Sequence, residues 1–366
     1  MTGVRERTRA RVLWLAKGLG RGGAEQLLLN CVRHADRERY AIEVAYVLPH
    51  KDALVPDLAA AGVPVHCLGG APGRRWPLRL RRLLAERRYD LVHTHMPVPA
   101  VAARLLAGRP RPRLVHTEHN LWERYRLPTR WANALTYRRN DAVIAVSHAV
   151  AAGVGRRRAG EWLSVVHHGP DLGGAPSGPA ARRAARAELG LPEGALVVGT
   201  VGNLTAKKDQ ATLLAAFARL REREPDARLV LVGSGPLEAE LRARAGGGVL
   251  FAGMRADVPA LLPGWDVFCL SSRQEGLPVA LMEAMASGLP SVVTAVGGVP
   301  EILDDGVQGR LVPPGDPARL AAALGELADP AVRARMGAAA RARSASFDVA
   351  GAQRAVERVY ARVLAN

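Results

Sequence analysis

Glu275 and Glu283 stand eight positions apart in RQEGLPVALMEAMASGLPSVV, residues 273–293, and the second is out of place. Between Glu275 and Glu301 it is the one charged side chain, set among Val279, Ala280, Leu281, Met282, Ala284, Met285 and Ala286. A carboxylate inside so apolar a segment is costly unless it is paired or hydrogen-bonded. Two readings balance on residue chemistry alone: a buried ion pair with an arginine of another element, or a fixed carboxylate accepting hydroxyl hydrogen bonds from a ligand. Lys207 and Lys208 close VGNLTAKK (201–208). Cations at a helix start oppose the helix dipole, which favours a bound anion there over a merely solvated end. In GLGRGGAEQLLLN (18–30), Gly22 and Gly23 let the backbone approach a ligand just before a helix expected from Ala24, although such turns often serve close packing alone. His93, His95, His116 and His119 fall in DLVHTH and RLVHTEH. Four histidines could supply zinc ligands, but strand alternation puts 93 with 95 and separates 116 from 119, so convergence of all four is not expected.

Strands and helices must position these groups, and they alternate almost without interruption. Apolar, β-branched runs at 11–16, 42–48, 63–68, 90–95, 113–119 and 141–147 are separated by helix-like segments such as AEQLLLNCVRH and LRLRRLLAERR. After GPDLGGAPSGPA (169–180), the best linker in the chain, the alternation restarts with runs at 195–202, 227–233, 248–253, 265–270, 290–295 and 309–313. The pattern predicts parallel sheets covered on both faces. It gives an α/β chain of two Rossmann-like, doubly wound domains, residues 1–175 and 176–345, facing a central cleft, followed by a helix at 346–366. Ligands of such sheets bind beyond the carboxyl ends of the strands. Glu275 then lies on the loop after WDVFCL, Pro278 in the first turn of a helix ended by Gly288, and Glu283 about a turn and a half inside it.

Composition agrees with a folded, two-domain protein: 366 residues, 48% hydrophobic and 23% charged. Cys31, Cys67 and Cys269 are far apart and read as three buried thiols, without disulfide or zinc spacing. The apolar run VLWLA is too short for a secretory signal, and no stretch approaches the roughly 20 apolar residues of a membrane span, so a cytoplasmic protein is expected. Residues 1–175 hold 29 Lys/Arg against 14 Asp/Glu, and residues 176–366 hold 22 against 20, so the net charge of +17 belongs to one half. Such a field attracts nucleic acid, an anionic membrane surface or an anionic substrate; it also reads as an arginine-rich codon bias. The runs RLLAERR (82–88), RYRLPTR (124–130) and RRR (156–158) are solvated faces or contacts for an anionic membrane surface.

The loop–helix EGLPVALMEAMASGLPSVVTAVGGVPEIL, continuing into DGVQGRLVPPGD, resembles the donor-site signature of glycosyltransferase family 4, the retaining transferases of GT-B fold. The likeness spans most of the chain, is most specific over 264–315, and implies that the helix at 346–366 crosses back to the first domain. It implies that Glu283 holds the ribose hydroxyls of a nucleotide-sugar. Glu275 and the backbone of Gly276, Leu277 and Pro278 would address the donor sugar and phosphate, aided by the positive end of the following helix. Lys208 matches the family's diphosphate-gripping lysine. Asn203 stands where relatives carry an arginine, a missing charge that Lys207 or a cation of the basic domain would replace. Gly22 and Gly23, in the family's GGAE, would face the reacting phosphate or the acceptor. His119, at the family's histidine position, would contact donor sugar or acceptor in the cleft, with His95 and Glu118 as weaker candidates. Gly233 and Gly235 of GSGP (233–236) would line the nucleotide pocket, and HHGPD (167–171) reads as a connecting turn.

The resemblance thus implies a retaining transfer of sugar from a nucleoside-diphosphate donor to the hydroxyl of a lipid-linked or small-molecule acceptor, in polysaccharide, glycolipid or secondary-metabolite glycoside synthesis. No cofactor and no nucleic acid partner are expected, and no metal either, since no DxD-like pair precedes a plausible metal site. Two alternatives stay open: a sugar-nucleotide epimerase or phosphorylase on the same fold, and a basic nucleic-acid or membrane-binding module, which would leave Glu283 unexplained.

Overall fold

The computed structural model describes residues 9–70, 75–108, 110–154, 162–171 and 176–365. Residues 172–175 of the expected linker and the RRR run at 156–158 lie outside the described residues. The chain forms two compact units, Met1–His168 with Val349–Asn366, and Gly169–Asp348. These boundaries replace 175/176 and 345/346, and the reason is local. Gly169 lies against the Phe347 carbonyl, where a β carbon would stand 1.7 Å from that oxygen, so the outgoing and returning chains pack together at that pair.

In the first unit β1 (Ala10–Ala16), β2 (Tyr40–Tyr46), β3 (Val65–Cys67), β4 (Leu91–His95), β5 (Arg113–Glu118), β6 (Ala142–Ala145) and β7 (Leu163–Val165) build a parallel sheet in the order β3-β2-β1-β4-β5-β6-β7. β7 has no counterpart among the expected strands, because a three-residue edge strand is too short to show a period. Cys67, on the opposite edge strand, is exposed, which corrects the expectation of three buried thiols.

The helix Val349–Ala365 completes this unit's core. Val349, Ala352, Val356, Val359, Tyr360 and Val363 pack with Val12, Trp14, Leu28, Val32 and Tyr40. Burying those six side chains contributes on the order of 10 kcal/mol, so the first unit depends on a segment from the far end of the chain. Polar contacts fix the docking: the Asp36 amide donates to Glu357 at 2.9 Å, and Tyr360 Oη lies 2.5 Å from His93 Nδ1.

The second unit repeats the architecture with β8 (Val197–Val201), β9 (Arg228–Val232), β10 (Val249–Gly253), β11 (Val267–Leu270), β12 (Ser291–Thr294) and β13 (Gly309–Val312), in the order β10-β9-β8-β11-β12-β13. Its core joins Val198, Leu213, Phe217, Leu229, Val267, Val292, Leu320 and Leu324. In both units the strand order reverses beside the first strand, between β1 and β4 and between β8 and β11. Loops leaving the carboxyl ends of these strands diverge to opposite faces, the place where open α/β sheets hold ligands.

Candidate functional site

The switch point of the second unit brings Lys208, from the loop after β8, to Glu275, from the loop after β11. Lys208 Nζ donates to Glu275 Oε1 at 2.6 Å, and Ser272 Oγ donates to the same oxygen at 2.6 Å. Glu275 is 7% exposed, so the pair sits largely out of water, where such contacts are stronger. Among the described residues Oε2 accepts no hydrogen bond.

The two loops are joined by main-chain and side-chain bonds of long sequence separation. The Arg273 amide donates to the Lys207 carbonyl at 2.8 Å, Ser271 Oγ donates to the carbonyls of Lys208 and Asp209 at 3.1 and 2.8 Å, and Arg273 Nε pairs with Asp209 at 2.9 Å. Asp209 caps the helix Gln210–Arg221 from a left-handed backbone conformation, φ +47°, accepting from the Thr212 hydroxyl at 2.8 Å. The two lysines therefore occupy the turn before the helix and do not belong to its first turn as expected. Asn203 and Lys207 are exposed. The Asn203 carbonyl accepts from Gln210 Nε2 at 3.1 Å, so the asparagine contributes main chain to the loop.

Behind Glu275 the loop is clamped from β12. Thr294 Oγ1 donates to the Ser272 carbonyl at 2.5 Å, and the Gly298 amide donates to the Gly276 carbonyl at 3.1 Å. Gly297 adopts φ +55°, and a β carbon on it would fall 1.8 Å from the Glu275 carbonyl oxygen. Only glycine fits there. Ser272, Asp209, Arg273, Thr294, Gly297 and Gly298 were not among the expected site residues.

Leu277 and Pro278 lead into the helix Val279–Ala286. Pro278 is its N-cap, one place earlier than predicted, its carbonyl accepting from Leu281 and Met282; Gly288, φ +77°, ends the helix as expected. Glu283 is partly buried, and among the described residues its carboxylate has no hydrogen-bond or ion-pair partner. Desolvation by burial pushes its carboxyl up to about 7. The buried ion pair that competed with a ligand role is therefore not formed among the described residues. Gly233 (φ +136°) and Gly235 have a plainer role: β carbons there would meet the carbonyls of Gly202 and Leu204 at 2.1 and 2.4 Å. The GSGP turn packs against the loop after β8, and its glycines permit that approach.

At the switch point of the first unit the groups are neutral. His93 and His95 stack on one face of β4, ring centroids 4.3 Å apart, with Trp14 of β1 5.2 Å from each. His119, just past β5, joins them, its Nε2 3.0 Å from His95 Nδ1. His116 faces the other way, its Nδ1 2.9 Å from Thr94 Oγ1, as alternation required. His93 spends both ring nitrogens on Tyr360 and Thr117, which leaves it no free ligand atom. Burial, and then neighbouring imidazoles, pull His119 down to about 3, while burial pulls His168 down to about 4, so both rings are neutral at ordinary pH. Glu118, a weaker site candidate, is fully buried and accepts from Trp122 Nε1 at 3.1 Å and from Tyr125 Oη; it holds the loop after β5. Gly22 is the N-cap of the helix Gly23–Arg33, one residue before the expected start, and a β carbon there would stand 2.4 Å from Glu25 Oε2. The GGAE turn has its own carboxylate folded over it.

Both switch points carry backbone strain. Among the described residues three non-glycine residues have positive φ; Met96 (φ +74°) follows His95, and Asp209 (φ +47°) follows Lys208. Such strain costs about 1–3 kcal/mol per residue and collects at functional sites.

Comparison with known proteins places both halves of the chain. Residues 21–173 match the family model of Glycosyltransferase Family 4, and residues 195–329 that of Glycosyl transferases group 1. EpsF of Bacillus subtilis, assigned as a glycosyltransferase, is 31% identical over 310 residues, covering 78% of this chain and 79% of EpsF. The D-inositol 3-phosphate glycosyltransferase of Salinispora tropica is 30% identical over 382 residues, covering 89% of this chain and 78% of that protein. The crystal structure of Anabaena HepE in complex with UDP-glucose superposes with a TM-score of 0.87 at 25% identity, covering 96% of this chain and 99% of that one.

Proposed function

The chain belongs to the family 4, group 1 glycosyltransferases, and from that premise we propose that it transfers a sugar from a UDP-linked donor to an acceptor hydroxyl with retention at the anomeric carbon. That it is a glycosyl-transferring enzyme with two Rossmann-like units follows from the family and the fold. The observation that carries the finer reading is the Lys208–Glu275 pair, 2.6 Å apart at the switch point, with the unpartnered Glu283 on the helix that follows Glu275.

In this reading Glu283 accepts the two ribose hydroxyls. The Lys208 ammonium has three N–H donors, of which Glu275 takes one; the others meet the diphosphate and the charge that grows on it as the glycosidic bond breaks. Glu275 Oε2 and the amides of Gly276 and Leu277 address the sugar and phosphate. The departing phosphate takes the acceptor proton, so no glutamate becomes a nucleophile and the ammonium supplies the electrophilic stabilisation. Lys207 and Arg273 border the diphosphate where Asn203 brings no charge. His119, neutral and held by His95, offers a hydrogen bond to sugar or acceptor. Support for the uridine nucleotide comes from HepE, whose crystal structure holds UDP-glucose.

A thermal-shift series with UDP-, GDP- and dTDP-sugars tests the donor, because a ligand of the folded state raises the melting temperature by mass action. UDP-sugars should give the largest shift, and a labelled donor should yield a glycoside of unchanged anomeric configuration by NMR. No shift with any nucleotide-sugar would overturn the donor reading. Isomerised or phosphorolysed sugar without glycoside would make the enzyme an epimerase or phosphorylase.

A further inference from the structure

The helix Leu127–Thr136 in the first unit carries Leu127, Trp131 and Leu135 at 68, 67 and 81% exposure. Spaced four residues apart, the three side chains fall within a stripe about 80° wide. The opposite face is pinned. Asn133 and Thr136 are buried and accept from Arg104 Nη1 at 2.6 and 3.3 Å, and the Arg104 guanidinium lies 4.8 Å over the Tyr137 ring. The helix cannot roll its apolar stripe inward, because that would unpair a buried guanidinium. Each large side chain left in water forgoes roughly 1.5–3 kcal/mol of burial, so this is an expensive face to leave uncovered. Helix Pro97–Leu106, packed against it through Arg104, adds Leu105 at 57% exposure.

Charge identifies what covers it. From Arg126 to Asn140 the sequence holds four arginines and no carboxylate, and among the described residues Arg126 and Arg130 form no ion pair. The whole first unit has 32 Lys/Arg against 14 Asp/Glu, a net of +18, while the second has 19 against 20, a net of −1. A second copy seated on this face about a twofold axis would set the same arginines against each other. An anionic bilayer matches both features: Trp and Leu enter the headgroup–acyl boundary while flanking arginines meet lipid phosphates. No helix among the described residues is long and apolar enough to cross a membrane, so the contact lies at the surface.

We infer that Leu127–Thr136 is an interfacial helix that docks the first unit on an anionic lipid surface through Leu127, Trp131 and Leu135, with Arg126 and Arg130 beside them. This does not rest on the donor assignment, and its test involves no transfer.

Co-sedimentation with vesicles of phosphatidylcholine, alone or mixed with phosphatidylglycerol, should show partition to the mixed vesicles that weakens with salt. Leu127→Gln/Trp131→Gln/Leu135→Gln should reduce that partition by about tenfold or more. Arg126→Gln/Arg130→Gln should reduce it by roughly fivefold per arginine and flatten the salt dependence, both variants melting like the parent. A blue shift of tryptophan emission on vesicle addition, absent in Trp131→Phe, would locate the contact independently of the triple variant. Partition that neither set of substitutions alters, or no partition to anionic vesicles, overturns the proposal. So does a dimer in sedimentation velocity that the triple variant dissolves, which would make a second copy the occupant.

Discussion

The two switch points share topology and differ in chemistry. In the second unit an ammonium and a carboxylate meet at 2.6 Å, held by a serine, two loops bonded through their main chains, and a glycine that admits no side chain. In the first unit, His93, His95 and His119 cluster with Trp14, and burial keeps them uncharged. The contrast runs against the net charges, because the nearly neutral unit has the ionic site and the strongly basic unit the neutral one. A unit's overall charge therefore does not predict the charge of its site, which is set by the site's own partners. A diphosphate leaving group needs fixed charge; a sugar or acceptor hydroxyl needs only hydrogen bonds.

The largest expected effect is at Lys208. Lys208→Met should lower kcat by about 100-fold or more, through loss of charge on the leaving phosphate. It should also lower stability by about 3 kcal/mol, because Glu275 is left without its cation. The double variant Lys208→Met/Glu275→Gln separates the two: chemical denaturation should return toward the parent's midpoint while transfer stays lost. Recovery of activity along with stability would show the pair to be a structural strut, and the contrast between the two sites would fail.

How far these sites can be read from sequence differs for a physical reason. Glu275, Glu283, Lys208 and the helix ended by Gly288 are legible because each belongs to a local pattern: a carboxylate out of place, a turn, a cap. Twelve strand runs were equally legible by periodicity, and the thirteenth strand was lost for its length. Ser272, Thr294, Asp209 and Gly297 were not legible, since their roles exist only across separations such as the 22 residues from Thr294 to Ser272. Alternation correctly parted His116 from His119, but which of them joins His93 and His95 depends on the register between neighbouring strands, which no local period carries: His116 meets Thr94 and His119 meets His95. The stripe of Leu127, Trp131 and Leu135 has helical spacing, but spacing alone does not tell a buried stripe from an exposed one; the exposure depends on Arg104, which pins the opposite face through Asn133 and Thr136.

A smaller effect separates the sites by pH. Glu283 has its carboxyl raised from 4.5 to about 7 in the folded chain, so the folded state holds the proton more tightly. That contribution to stability is complete below pH 4.5 and is lost as pH rises through about 7. Glu283→Gln should therefore raise the melting temperature of the unliganded protein above pH 7 and leave it nearly unchanged at pH 4.5, the difference growing across that window. The same variant should bind the donor about tenfold more weakly, as a ribose hydroxyl loses a charged acceptor. A parallel offset at every pH would mean that Glu283 does not titrate there.

The smallest effect belongs to the first unit and depends on a tautomer. A neutral imidazole has one N–H and one bare nitrogen, and among the described residues His95 Nε2 is buried with no partner. A buried bare lone pair is tolerated better than a buried orphan N–H, so the proton of His95 belongs on Nδ1, donating to His119 Nε2 across 3.0 Å. His119 must then keep its own proton on Nδ1 and present an N–H donor to a ligand oxygen. His95→Leu removes that lock and should lower kcat/KM by roughly fivefold, the worth of one neutral hydrogen bond, against the far greater loss at Lys208. Nitrogen-15 NMR should show His119 passing from the Nδ1–H form to a mixture. Because burial holds His119 near 3, no limb of the pH–rate profile between pH 5 and 8 should belong to it; a limb near 7 should vanish in Glu283→Gln and persist in His95→Leu.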